Sequence, residues 1–163
     1  LNFIVRAEPI EPPSIEVAQR RLLHPDQERG DAATLRAEPR SFIVIDVDGL
    51  SMADASMEHP EQAARAVVDA YIPELRGTTV LYRPSASAGI KPDIRMHLIV
   101  WLQEPYTDSR VKSFLKSINE RAGKRIVDPS LAGAVQPFYT AKPLFEDGAV
   151  DPIVDRSWKA LTP

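Results

Sequence analysis

An α+β fold is predicted by three features of the sequence. Residues 41–49 and 95–102 are apolar, β-branched runs, residues 60–71 and 108–123 carry hydrophobic side chains at helical spacing, and glycine or proline punctuates the stretches between them. The 163 residues hold 44% hydrophobic and 26% charged side chains, ordinary content for one domain or two tightly packed subdomains. The absence of cysteine excludes disulfides, zinc–thiolate clusters and thiol nucleophiles from this sequence, and it suits a reducing cytoplasm, the expected location. No apolar run approaches a membrane span, so no membrane partner is expected. A net charge of −3 argues against a uniformly basic nucleic-acid binder while leaving room for a local basic groove beside an acidic site. The chain starts at Leu1 rather than Met and ends in a polar, proline-dotted segment, which reads as a piece of a longer polypeptide.

Taken in order, residues 1–40 form an N-terminal extension. Pro9, Pro12 and Pro13 interrupt it, Ser14 is placed to cap a short helix running to Leu23, and residues 24–40 read as a loop. The run at 41–49 reads as a strand that ends in Asp46-Val47-Asp48-Gly49. Alternation puts Ile43, Ile45 and Val47 on one face, and Val44, Asp46 and Asp48 on the other. Two carboxylates leaving the same side of a sheet repel unless one is protonated or a cation sits between them, and hard divalent ions take such oxygens. A turn at Asp48-Gly49 accounts for Asp48 but not for Asp46 inside the apolar run.

Residues 60–71 predict a helix with Pro60 at its first position and Ala63, Ala64, Val67, Val68 and Tyr71 on the buried side. Residues 78–83 predict a second strand. Residues 84–93 form a loop of small and hydroxyl residues suited to an anion, with Arg83, Lys91 and Arg95 nearby. Residues 95–102 are apolar enough for a central strand, with His97, Ile99 and Trp101 on one face and Met96, Leu98, Val100 and Leu102 on the other. In the helix at 108–123, Asp108 is the expected cap, Val111, Phe114, Leu115 and Ile118 the buried stripe, and Gly123 the stop. Its outer side carries Arg110, Lys112, Lys116 and Arg121, of which Lys112, Lys116 and Arg121 are the candidate contacts for a template strand. A short fourth strand at 125–128 ends in Asp128, and residues 151–163 read as a tail or linker.

The order of these motifs resembles the archaeo-eukaryotic primase superfamily. The carriers are Asp-Val-Asp at 46–48, Ser-Ala-Ser-Ala-Gly at 85–89 leading to Arg-Met-His-Leu-Ile-Val-Trp-Leu at 95–102, and Ile-Val-Asp-Pro-Ser-Leu at 126–131 with Gln-Pro-Phe-Tyr-Thr-Ala at 136–141. More narrowly, the chain resembles the primase-polymerase domains of phage, plasmid and integrated-element replication proteins, over residues 42–145. The resemblance implies an RRM-like antiparallel sheet joined to a smaller α/β unit, with the active cleft between them and a catalytic core at 41–150. It implies that Asp46, Asp48 and Asp128 hold two Mg²⁺ or Mn²⁺ ions, and that His97 contacts the incoming nucleotide. Ser85, Ser87 and Lys91, from their place in the loop, and Arg95, just after it, are added as nucleotide contacts. The implied activity is DNA-templated nucleotidyl transfer, in primer synthesis or extension, with single-stranded DNA, nucleoside triphosphates and a fused or associated helicase as partners. One departure is Arg95, which stands where the family has a small hydroxyl residue two places before the histidine.

Two other readings remain. The run into Asp46-Val47-Asp48-Gly49 also resembles the opening motif of the haloacid dehalogenase phosphotransferases, in which the first aspartate is a nucleophile and the second a general acid on a parallel sheet. Against it, Leu50 follows the glycine where that motif has Thr or Val, and no Gly-Asp-x-x-x-Asp comes later. The third reading is a nucleic-acid-binding domain that keeps the fold without turnover.

Overall fold

The computed structural model describes residues 3–12, 20–146 and 148–163. In chain order they form β1 (Phe3–Ile4), β2 (Glu8–Pro9), β3 (Leu35–Arg36), β4 (Arg40–Leu50), α1 (Pro60–Tyr71), β5 (Val80–Pro84), β6 (Ile94–Tyr106), α2 (Asp108–Ala122), β7 (Phe138–Tyr139) and β8 (Lys159–Leu161), with 3₁₀ turns at Pro73–Leu75 and Pro129–Ala132. Strands β4-β6-β5-β8 make one antiparallel sheet, and β1–β7 and β2–β3 make two small antiparallel ribbons. The fold is therefore mixed α and β, with antiparallel sheets and, among the described residues, two α-helices. Among the described residues, no helix is long and apolar enough to cross a membrane. Most of the helix expected from Ser14 to Leu23 lies outside the described residues.

The central position of β6 follows from its composition. Met96, Leu98 and Val100 are fully or almost fully buried on one face, in the same core as Ile43, Ile45 and Val47 of β4 and Val80 and Tyr82 of β5. Both helices lie against this face. Helix α1 begins at Pro60, whose missing N–H has no helical acceptor at that position, and it buries the small residues Ala63 and Ala64 with Val67 and Val68. Helix α2 buries Val111, Leu115 and Ile118 and stops at Gly123, whose φ of 65° lies in the left-handed region. Its cap is Thr107 rather than the expected Asp108: the Thr107 side-chain oxygen accepts from the Arg110 backbone N–H at 3.3 Å. Asp108 is instead the first helical residue, where it accepts from Arg6 Nε at 3.1 Å. Arg6 is buried and also donates to the carbonyls of Phe42 and Tyr106, which fastens the N-terminal segment to the sheet.

The short strands β1, β2, β3 and β7 fall where the sequence reading has none, and two further segments differ from it. Residues 125–128 form a single bridge, Val47 with Val127, instead of a ladder strand. Asn119 of α2 explains how they are held without one: its Oδ1 accepts from Ile126 N at 2.7 Å and Val127 N at 2.9 Å, and its Nδ2 donates to Val127 O at 3.0 Å. Pro129 then turns the chain away. The segment expected as a tail supplies β8, the outer neighbour of β5, with Val80 opposite Leu161, Leu81 opposite Ala160 and Tyr82 opposite Lys159. Arg156, buried just before β8, binds Asp151 through two 2.7–3.0 Å contacts of its Nε and donates to the carbonyls of Ser85 and Ala88.

Candidate functional site

The ladder register assembles the site. Asp46 of β4 lies opposite His97 of β6, and His97 lies opposite Arg83 of β5, so the three side chains form a row across neighbouring strands on the face turned away from the helices. Asp46 Oδ1 is 3.5 Å from His97 Nε2. Arg83 is 2% exposed and donates to the carbonyls of Thr140 at 2.6 Å and Ala141 at 2.8 Å. Phe138 closes over the row, its ring centroid 4.6 Å from that of His97. A second pair lies further along the same face. Arg95, 8% exposed, forms an ion pair with Asp48, approaches Asp93 at 3.7 Å and donates to Ser87 Oγ at 3.4 Å. Three buried polar atoms have no hydrogen-bond partner in this face: Arg83 Nε, Arg95 Nε and His97 Nδ1.

The third aspartate arrives by the Val47–Val127 bridge. Asp48 N donates to Ile126 O at 2.9 Å, and Asp128 N to Asp46 O at 3.4 Å. Asp46, Asp48 and Asp128 consequently line one cleft of about 390 Å³ together with Arg125, Ile126 and Val127. His97 is not among the lining residues; it lies behind Asp46, its Nε2 3.5 Å from the Asp46 carboxylate.

The charges in the cleft are unequal. Burial pushes the Asp46 carboxyl up to about 6, the nearby Asp128 charge adds to this, and Arg95 opposes it. For Asp128 burial acts upward, but the N–H and hydroxyl of Ser130 and the Arg125 guanidinium outweigh it and hold the carboxyl below its ordinary value. His97 is pushed down to about 3 by burial and by the Arg83 charge, so its ring is neutral. Three carboxylates around one cleft are the donor type that Mg²⁺ and Mn²⁺ take. Their arrangement is not a ready cage: Asp48 is turned to Arg95, Asp128 to Arg125 and Ser130, and among the described residues no group of three or more His, Asp or Glu side chains is placed to hold a metal ion.

The remaining expected residues fall in different places. Ser85 is buried, with its carbonyl accepting from Arg156, and Ser87 touches Arg95. Lys91 lines a separate cavity of about 350 Å³ with Gly89, Pro152 and Ile153, away from the acid cleft. Lys112 and Lys116 are exposed on α2. Arg121 is committed elsewhere: it pairs with Glu74 and donates to the Tyr71 carbonyl, tying α2 to the end of α1. A wider cavity of about 650 Å³, between α1, β5 and β8, contains none of the expected site residues. Arg125 and Phe138 have no place in the sequence reading of the site, and Arg83 appears there only as a cation near the loop. Arg83 was detectable in principle, because once the two strands are paired the residue opposite His97 follows from the loop between them.

No family model matches the chain. A stretch of 72 residues is 42% identical to a protein of Escherichia phage T5 provisionally named replication origin binding protein; it amounts to 42% of this chain and 8% of that protein. The chain thus spans under a tenth of the length of that relative. The polymerase domain of ligase D from Mycobacterium tuberculosis, solved in complex with DNA, aligns in structure with a TM-score of 0.46 and 18% identity, over 83% of this chain and 44% of that one.

Proposed function

We propose that this chain is a primase-polymerase domain acting in DNA replication, with an RRM-like core and a nucleotidyl-transfer site at the Asp46–Asp48–Asp128 cleft. The observation that carries the reading is that Asp46 and Asp48 line one cleft with Asp128, which is far from them in sequence, and that neutral His97 is 3.5 Å from Asp46. The name of the phage T5 relative, which refers to replication origins, supports the replication setting. Single-stranded DNA template, nucleoside triphosphates and a fused or associated helicase are the partners the reading implies.

Two Mg²⁺ or Mn²⁺ ions held by Asp46, Asp48 and Asp128 would supply charge stabilisation for the attacking and leaving oxygens of an in-line displacement. The chain's own residues would do the rest by position and electrostatics. Arg95 is the natural partner of an incoming triphosphate, because exchanging Asp48 for phosphate oxygens keeps its buried charge paired and frees that carboxylate. His97, neutral and wedged against Phe138, offers a single N–H donor in a fixed orientation. A cation entering beside Asp128 would further favour the ionised, ligating form of Asp46, whose carboxyl is pushed up to about 6.

The test is to incubate the domain with single-stranded template, nucleoside triphosphates and Mg²⁺ or Mn²⁺, and in parallel with a generic phosphomonoester. A polynucleotide product that depends on template is expected, and phosphomonoester turnover without polymer would overturn the reading. A second reading, a nucleic-acid-binding domain without turnover, is favoured by the ion pairs that already occupy Asp48 and Asp128. It predicts strand binding and no product in either arm. The phosphotransferase resemblance loses support from the fold, because β4 pairs antiparallel with β6 rather than opening a parallel sheet.

A further inference from the structure

We infer that the β1–β7 ribbon carries, on its outer side, a stacking platform for single-stranded nucleic acid, in which Tyr139 and Phe3 receive bases and Arg21 receives the backbone. The inference deepens the proposed function, on which it rests only for the strand being a template. Alternation along β7 separates two aromatic roles: Phe138 points inward against His97, so Tyr139 points outward and is 51% exposed. Phe3 lies directly opposite Tyr139 in the ribbon and is 43% exposed. The two rings meet edge to face, with centroids 6.2 Å apart and planes at 70°. Single exposed apolar residues need no explanation, but a paired aromatic surface in water beside a cation is the composition of a base-stacking site.

The cation is Arg21, whose guanidinium carbon stands 5.2 Å from the Phe3 ring centroid. Beside it a cavity of about 430 Å³ is lined by Arg20, Arg21, Leu22, Val135, Gln136 and Pro137, the last two leading directly into β7. Arg20 is held by Asp26 and Asp31, each at 2.7 Å, which fixes the backbone from which Arg21 projects. Guanidinium and carboxamide groups around exposed ring faces match a sugar-phosphate strand better than an aliphatic peptide or a second copy of the chain. Tyr139 of the platform directly follows Phe138, which packs on His97, so the platform and the His97 contact are adjacent residues of one strand.

The test measures binding of a fluorescent oligo-dT by the intact chain, followed by anisotropy. Tyr139→Ala and Arg21→Ala should each weaken binding about tenfold and Tyr139→Phe by less than about twofold, the pattern expected when a ring face stacks on a base. Thermal midpoints of these variants should match the wild type, because the substituted side chains are largely in water. Photo-crosslinks from 5-iodouracil in the oligonucleotide should map to Tyr139 or Phe3. Unchanged affinity in both Tyr139→Ala and Phe3→Ala, crosslinks confined to other peptides, absence of oligonucleotide binding by the wild type, or a dimer that Tyr139→Ala dissolves without altering oligonucleotide affinity would each overturn the platform. Binding that depends on Tyr139 in a protein that makes no polynucleotide would leave the platform standing and remove the catalytic reading.

Discussion

The two faces of the central sheet are built from the same strands and have opposite contents. On the helix side, Ile43, Ile45, Val47, Met96, Leu98 and Val100 pack with α1 and α2 in a core that is almost wholly apolar. On the other side, residues one position out of phase put Asp46, His97, Arg83, Arg95 and Asp48 together, packed by the small cluster of Val44, Ile99, Leu131 and Phe138. Burying a charged or polar group without a full set of partners is unfavourable, and among the described residues the three buried side-chain atoms without one lie on this second face. The contrast teaches that the hydrophobic face provides the stability that the polar face spends. A one-residue register slip would exchange the two and lose both.

That division can be broken at several strengths. The largest effect is expected on the helix side, where Leu98→Ala should destabilise the fold by about 2–5 kcal/mol, read from urea midpoints; a loss below about 1 kcal/mol would mean that this face is not the source of stability. On the polar side, Asp46→Ala and Asp128→Ala should reduce polynucleotide synthesis on the order of a hundredfold or more while template affinity is kept. Retained synthesis in either variant would remove the aspartate cleft from the chemistry.

A smaller effect is expected in the pH dependence of stability. His97 has a folded value of about 3 against an ordinary 6.5, so the stability it contributes is whole above pH 6.5 and is lost as pH falls toward 3. Asp46 has a folded value of about 6 against an ordinary 3.8, so its contribution is whole below pH 3.8 and is lost as pH rises through 6. Between these values the two oppose each other. Asp46→Asn removes one of them and should steepen the fall of the thermal midpoint from pH 6.5 to pH 4, which a scan in matched buffers would reveal. The smallest effect belongs to the exposed lysines: Lys112→Ala and Lys116→Ala should each change stability by less than about 0.5 kcal/mol. Their joint loss should lower the salt dependence of oligonucleotide binding if α2 touches the strand.

Much of the sheet was legible because alternation is a local signal. The parity of residues 43–48 and 96–102 assigns both faces, and the periodicity of 60–71 and 108–123 gives two helices whose bounds agree with α1 and, within a residue, with α2. Thr107 and Asp108 are both good caps, and the choice between them was made by Arg6, about a hundred positions away in sequence. The arrival of Asp128 was not readable from residues 125–128 alone, since an Asn119 clamp rather than a strand ladder holds them. Three residues such as Lys159-Ala160-Leu161 carry too little pattern to announce a strand; β8 exists because β5 presents an open edge to it. Arg83 and Arg95 look like loop-flanking surface cations in the sequence, yet ladder positions bury both.

The pairing of Val80 with Leu161, and of Phe3 with Tyr139, also has a temporal side. During synthesis β5 leaves the ribosome long before its outer neighbour exists, and β1 waits still longer for β7. The hairpin-like core of β4, β5 and β6 with its two helices can form while the chain is growing, but its β5 edge stays an open row of N–H and C=O groups until residue 161 emerges. A chain stalled or clipped before that point would therefore be a folded body with an adhesive margin, and its hazard is self-association rather than simple unfolding.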